Sequence, residues 1–281
     1  MAFVASLHRE SLSASTVKSY LSAVRYAQIA LGLGDPGMGG MAQLEYVVKG
    51  MKRLSPSQSQ RKRLPITPPV LGRMKQAWAS LPDQRDTAML WAAATLCFFG
   101  FLRSGEIVVP SDSSFCQDRH LSFEDIRVDS HAAPQFLEVR IKESKTDPFR
   151  KGVTIVIGRT GGELCPVAAV LGYMAARGPA AGPLFRFSDG RALTRARFVA
   201  AVRVTLTRAG VDAKGYSGHS FRIGAATTAA QRGMQDSLIK TLGRWESSAY
   251  TIYIRTPREV LQAVSGQLVR DQTAAGQPPT R

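Results

Sequence analysis

Acidic residues are scarce in this chain. Only 21 Asp plus Glu stand against 37 Lys plus Arg, which leaves a formal net charge of +16 over 281 residues. A field of that sign repels cationic ligands and draws polyanions, of which nucleic acid is the usual one. Charge alone leaves a ribosome-associated or membrane-surface protein open as well. Cysteine is scarce too: Cys97, Cys116 and Cys165 are scattered, and an odd number forbids complete internal pairing. With no Cys-x-x-Cys pair and no Cys/His cluster at zinc spacing, neither a disulfide framework nor a structural metal is expected, and a reducing compartment is. Long apolar runs are missing as well. The most apolar stretch, Ala88–Leu102, falls short of the ~20 residues a spanning helix needs and reads as a buried helix. Met1–Leu7 lacks the basic start and long apolar core of a signal peptide. The expectation is a soluble intracellular protein with no cofactor, no metal, no membrane partner and no small-molecule substrate.

What is present is an ordinary globular composition, 44% hydrophobic and 21% charged, with enough length for a sizeable core in two domains. Ser11, Ser13, Ser15 and Thr16 offer N-caps for a helix whose apolar stripe is Val17, Leu21, Val24 and Leu31. Met1–Glu10 before it reads as helix-poor. Gly32–Gly40 breaks the chain, and a second amphipathic helix carries Leu44, Val47, Val48, Met51 and Leu54 on one face. Ser55–Leu64 is polar, basic and without periodicity, so it reads as a linker. Its Arg61-Lys62-Arg63 is a solvated charge run on the plain reading and a DNA-backbone contact on the sharper one. Helices are then expected near Pro69–Ser80 and Arg85–Leu102. Three antiparallel strands follow at Phe123–Val128, Phe136–Lys142 and Val153–Ile157. Further helices are predicted at Pro166–Ala176, Thr194–Ala209, His219–Arg232, Ser237–Leu242, Ser248–Arg255 and Pro257–Val269, with a loose tail from Gln272. The fold class is mainly α with one small antiparallel β-sheet (α+β), divided into a helical domain 1–60 and a larger domain 61–281.

Four segments stand out. Arg103 closes the long buried helix, with Glu106 three residues on; taken alone it is a capping cation. Lys145 sits on the loop Glu143–Gly152 between the second and third strands, where a lone lysine is ordinarily solvated. In Gly218-His219-Ser220-Phe221-Arg222, His219 and Arg222 at i and i+3 share one face of a helix start, a place to hold an anion. Singly these would be a structural histidine and a solvated arginine. The last segment, Leu242-Gly243-Arg244-Trp245, is followed by Tyr250 and Tyr253, aromatics that would otherwise be packing residues.

Taken in order and spacing, these segments resemble the catalytic domain of the tyrosine recombinase (phage integrase) family across about Leu64–Val269. Gly218–Gly233 with Ile239–Arg255 is similar to its eukaryotic mobile-element branch of Crypton and DIRS-type recombinases. The N-terminal helices resemble the family's core-binding (SAM-like) domain, short of a first helix. The resemblance implies cutting and rejoining of double-stranded DNA through a 3′-phosphotyrosyl bond to Tyr253. It assigns Arg103 and Arg222 to the phosphate, Lys145 to protonation of the leaving 5′-oxygen, His219 to proton transfer, Trp245 to a phosphate hydrogen bond and Glu106 to orienting Arg103. It further implies DNA held in a clamp between the two domains and a homotetramer on DNA. The expected location is the nucleus in a eukaryote and the cytoplasm otherwise. Where the family has His or Trp directly after Leu-Gly, this chain has Arg244, with Trp245 one later; Arg244 is taken as supporting.

The chemistry is self-consistent. Cleaving a phosphodiester leaves charge on the non-bridging oxygens, and guanidiniums meet it with a rigid fork of donors that stays ionised. Two other readings stand beside it: a type IB topoisomerase, with the same nucleophile chemistry and no synapsis, and a transposon-derived DNA-binding protein whose catalysis is lost.

Overall fold

The computed structural model describes residues 2–37, 42–54, 63–145, 147–248, 251 and 254. Arg61, Lys62 and the rest of the expected linker up to Lys62, Tyr250, Tyr253, the helix expected at Pro257–Val269 and the tail lie outside the described residues. The chain divides into two compact units, Met1–Lys62 and Arg63–Arg281.

The first unit is helical. Met1–Glu10 was expected to be helix-poor, but α1 spans Ala2–Arg9 because Val4 and Leu7, three apart, both enter the unit's small core. Helix α2 (Ala14–Ala30) starts where the serine cluster places it, with the Ser13 hydroxyl accepting from the Thr16 amide at 3.2 Å. Helix α3 (Ala42–Leu54) contributes Leu44, Val48 and Met51. These meet Ala14 and Val17 at the start of α2, so the expected stripe is buried at one end only. Val24 and Leu31 are 38% and 74% exposed and lie outside this small core.

The second unit carries the main core. Helix α4 (Pro68–Ala79) opens with proline in its first turn, where the missing N–H costs nothing. Helix α5 (Gln84–Phe99) is capped by Asp83, whose carboxylate accepts from the Asp86 amide at 2.8 Å. It is apolar on nearly every side, and the structure answers by surrounding it with α4, α6 (Pro166–Arg177) and α8 (Ser220–Gln231). Each leucine-sized side chain taken out of water here, such as Leu71 or Leu96, contributes roughly 1.5–3 kcal/mol. Strands β1 (Ile126–Val128), β2 (Phe136–Ile141) and β3 (Val153–Gly158) form an antiparallel sheet in the order β1-β2-β3, with Ile126 opposite Val139 and Val139 opposite Ile155. Leu137, Val139 and Ile141 alternate inward onto the core. The first strand is shorter than expected. Phe123–Asp125 forms a 3-10 turn instead, held by the Asp125 carboxylate, which accepts from the Ser122 amide and hydroxyl at 2.8 and 2.7 Å. Helices α7 (Arg195–Arg208) and α9 (Asp236–Leu242) complete the unit. Among the described residues no helix is long and apolar enough to cross a membrane.

Candidate active site

The end of α5, the β2–β3 hairpin and the start of α8 converge on one cleft of about 560 Å3. Its walls include Arg103, Glu106, Lys145 and His219 from the sequence reading, together with Arg119, Glu143 and Arg195. Residues separated by more than a hundred positions thus share a single basin.

Each wall is fixed by local structure. After α5 the chain turns through Phe101, in the left-handed region at φ 50°, into the 3-10 turn Ser104–Glu106. There the Glu106 carboxylate accepts from the Arg103 amide and from Arg103 Nη1, both at 2.9 Å, which sets the side chain at the cleft. His219 is the residue just before α8. It can stand close to this turn because Gly218 has no side chain: a Cβ there would lie 2.1 Å from the Ser104 hydroxyl. Lys145 is exposed on its hairpin, whose base is tied twice. Lys142 Nζ meets Asp125 at 2.6 Å and also donates to the Gln117 carbonyl at 2.7 Å. Arg119 grips Glu143 with two bonds of 2.6 and 3.1 Å and holds that carboxyl below the usual range.

Arg222 and Trp245 are placed elsewhere. Arg222 is 0% exposed and does not line the cleft. Its Nη1 donates to the Phe101 carbonyl at 2.6 Å, its Nη2 donates to the Gly243 carbonyl, and its guanidinium lies 4.1 Å from the centre of the Trp245 ring. Trp245, itself buried, lines a neighbouring cleft between the hairpin and α9, together with Arg244. The ring occupies space that only glycine leaves open, since a Cβ at Gly243 would come within 1.6 Å of it. Arg244 stands in the left-handed region at φ 53°, and its Nη2 donates to Glu106 at 2.8 Å. Burial pulls the Arg244 guanidinium below its ordinary value, against the opposing pull of Glu106. Arg63 is exposed; Tyr253, Arg61 and Lys62 lie outside the described residues. Sequence reading did not single out Arg119, Glu143 or Arg195. Among 37 basic residues, a single arginine with no motif around it carries no signal.

The basic surroundings act on His219. Burial, then the charges of Arg63, Arg195, Arg103 and Arg222, push it down to about 4. Its Nδ1 is buried with no hydrogen-bond partner among the described residues. At neutral pH the ring is therefore uncharged and able to accept a proton. The linkage sign follows: between about 4 and the ordinary value of 6.5 the unfolded chain holds the proton and the folded chain does not, so acidification through that window destabilises the fold. Thermal midpoints of His219→Asn should fall less than wild type between pH 6.5 and pH 4; parallel curves would mean that His219 is not shifted. Among the described residues no group of three or more His, Cys, Asp or Glu side chains could hold a metal ion.

No family model and no curated protein matches the sequence. Solved structures do match by shape. A Tn1549 transposon integrase fragment in complex with circular intermediate DNA gives a TM-score of 0.54 at 15% identity, covering 94% of this chain and 82% of that one. A lambda integrase fragment, a dimer bound to a COC′ core site, gives 0.57 at 18%, covering 90% and 77%. The XerH site-specific recombinase in a post-cleavage complex with its difH substrate gives 0.55 at 16%, covering 75% of this chain; the chain spans only 54% of that structure's length. Mainly helical with one small three-stranded antiparallel sheet, the larger unit has the fold of the tyrosine recombinase catalytic domain.

Proposed function

We propose that this protein is a site-specific DNA recombinase or integrase that cuts and rejoins duplex DNA through a 3′-phosphotyrosyl bond to Tyr253. The observation that carries the reading is the cleft that gathers Lys145 and His219 around Arg103, the arginine that Glu106 holds. Arg103 supplies fixed donors to a phosphate entering this basin, and Lys145, on its exposed loop, reaches the leaving oxygen. His219, uncharged at neutral pH, exchanges the proton. The DNA-bound integrase structures of the same fold support double-stranded DNA as the partner. So does a groove of about 380 Å3 in the first unit bordered by Lys18, Lys49 and Lys52, on the domain we assign to core binding. Assembly as a tetramer on DNA belongs to the same proposal, as does descent from a Crypton or DIRS-type element, which the Gly218–Gly233 and Ile239–Arg255 segments support. The test is covalent capture: incubation with a nicked suicide duplex should leave the protein attached to DNA.

One observation favours a second reading. Arg222 is fully buried and donates to the carbonyls of Phe101 and Gly243, which suits a DNA-binding protein without catalysis. Binding without capture would select it.

Phosphate contacts should dominate affinity on either reading, given the +16 charge. Neutralising Arg61, Lys62 and Arg63 is expected to flatten the dependence of log K on log salt by up to ~2.7, at about 0.9 per phosphate, with sequence preference little changed. An unchanged slope in a filter-binding titration would remove this segment from the DNA interface.

A further inference from the structure

The Glu106 carboxylate is 4% exposed and is shared by two guanidiniums: Arg103 at 2.9 Å and Arg244 at 2.8 Å. The two arginines face different clefts, Arg103 the one with Lys145 and His219, and Arg244 the one with Trp245. Arg244 meets the carboxylate from a backbone at φ 53°, a strained conformation for a non-glycine residue that has to be offset by what it permits. The charge count explains why a second cation matters. An arginine closed on a carboxylate is a neutral pair and attracts a phosphate weakly. Adding Arg244 leaves the triad at +1, so that Glu106 can orient Arg103 without cancelling it.

We infer that Arg244 is a positioning residue for the phosphate site: it binds Glu106 Oε2, the oxygen that also accepts from the Arg103 amide, and so keeps Arg103 both oriented and net cationic toward the cleft. This deepens the recombinase reading and rests on it for the phosphate. Arg244 thereby takes a role of its own at the position directly after Leu-Gly, without touching the substrate.

The experiment uses the intact chain and two readouts. In single-turnover capture at saturating suicide duplex, Arg244→Gln should slow attachment by roughly a hundredfold, the scale of a misplaced catalytic group, with DNA affinity little changed. Arg244→Lys, which keeps the charge, should recover most of that loss. Adding Glu106→Gln to Arg244→Gln should speed attachment about tenfold over Arg244→Gln alone, because it removes the charge that neutralises Arg103. A merely structural role predicts the reverse, with each change adding to the damage. The second readout needs no catalysis: inorganic sulfate should raise the thermal midpoint of the wild type more than that of Arg244→Gln. Arg232→Gln, at the exposed end of α8, removes the same charge and should respond as wild type does. Equal sulfate responses in Arg244→Gln and Arg232→Gln overturn the inference. So does a double variant slower than Arg244→Gln, or Arg244→Lys as slow as Arg244→Gln. A wild type that never attaches to DNA sinks the recombinase reading, while the sulfate comparison still decides the inference.

Discussion

Tyr253→Phe is expected to abolish covalent attachment to a suicide duplex while leaving DNA binding intact, because it removes only the hydroxyl that would attack the phosphorus. Tyr250→Phe should attach as wild type does. The two tyrosines are three apart, so on a helix they share a face and either could approach the same phosphate. Spacing separates them. Tyr253 lies nine residues beyond Arg244, the interval of the resembled family, and opens the sequence Tyr253-Ile254-Arg255, whereas Tyr250 matches neither feature. Peptide mapping of the trapped adduct gives the direct answer. An adduct that survives in Tyr253→Phe and vanishes in Tyr250→Phe would shift the nucleophile by one helical turn and leave the rest of the mechanism standing. Loss of DNA binding in Tyr253→Phe would instead mark the residue as a packing aromatic.

How far the sequence led depended on the range of the interactions concerned. Helices α4 to α9 were legible because breakers and periodicity are local, as in the apolar run of α5, which is too short for a membrane and reads as a buried helix. The hairpin holding Lys145 was legible for the same reason. Helix α1 was not, since eight residues with two buried side chains, Val4 and Leu7, make too short a stretch to stand out ahead of the serine-rich start of α2. The site was half legible. Motif order brought Arg103, Lys145 and His219 to attention, and the fold places them on one cleft. The bond between Arg244 and Glu106, 138 positions apart, could not be read from either segment alone. Nor could the burial of Arg222, because a helix-start arginine beside a histidine has the same local sequence whether it faces a phosphate or two carbonyls.

That burial makes Arg222 the residue whose replacement should cost most after Tyr253, and in two separable ways. Lysine can donate to the carbonyl of Phe101 or that of Gly243, but it has neither the fork to serve both in one plane nor the flat face that lies 4.1 Å from Trp245. Leaving one buried carbonyl unsatisfied costs about 1–3 kcal/mol, so the urea midpoint of Arg222→Lys should fall accordingly. The catalytic effect is larger if the recombinase reading holds. Removing one preorganised donor from a developing oxyanion costs on the order of 100- to 1,000-fold in rate. A side chain that is 0% exposed has to be uncovered before a phosphate can reach it. The two effects part under strongly folding conditions. There the whole population of Arg222→Lys is native, and single-turnover attachment should still be slowed by that factor. Were the folded variant to attach at the wild-type rate, Arg222 would serve the fold alone, Arg103 would be left as the one motif arginine on the phosphate, and the reading with two guanidiniums would fall.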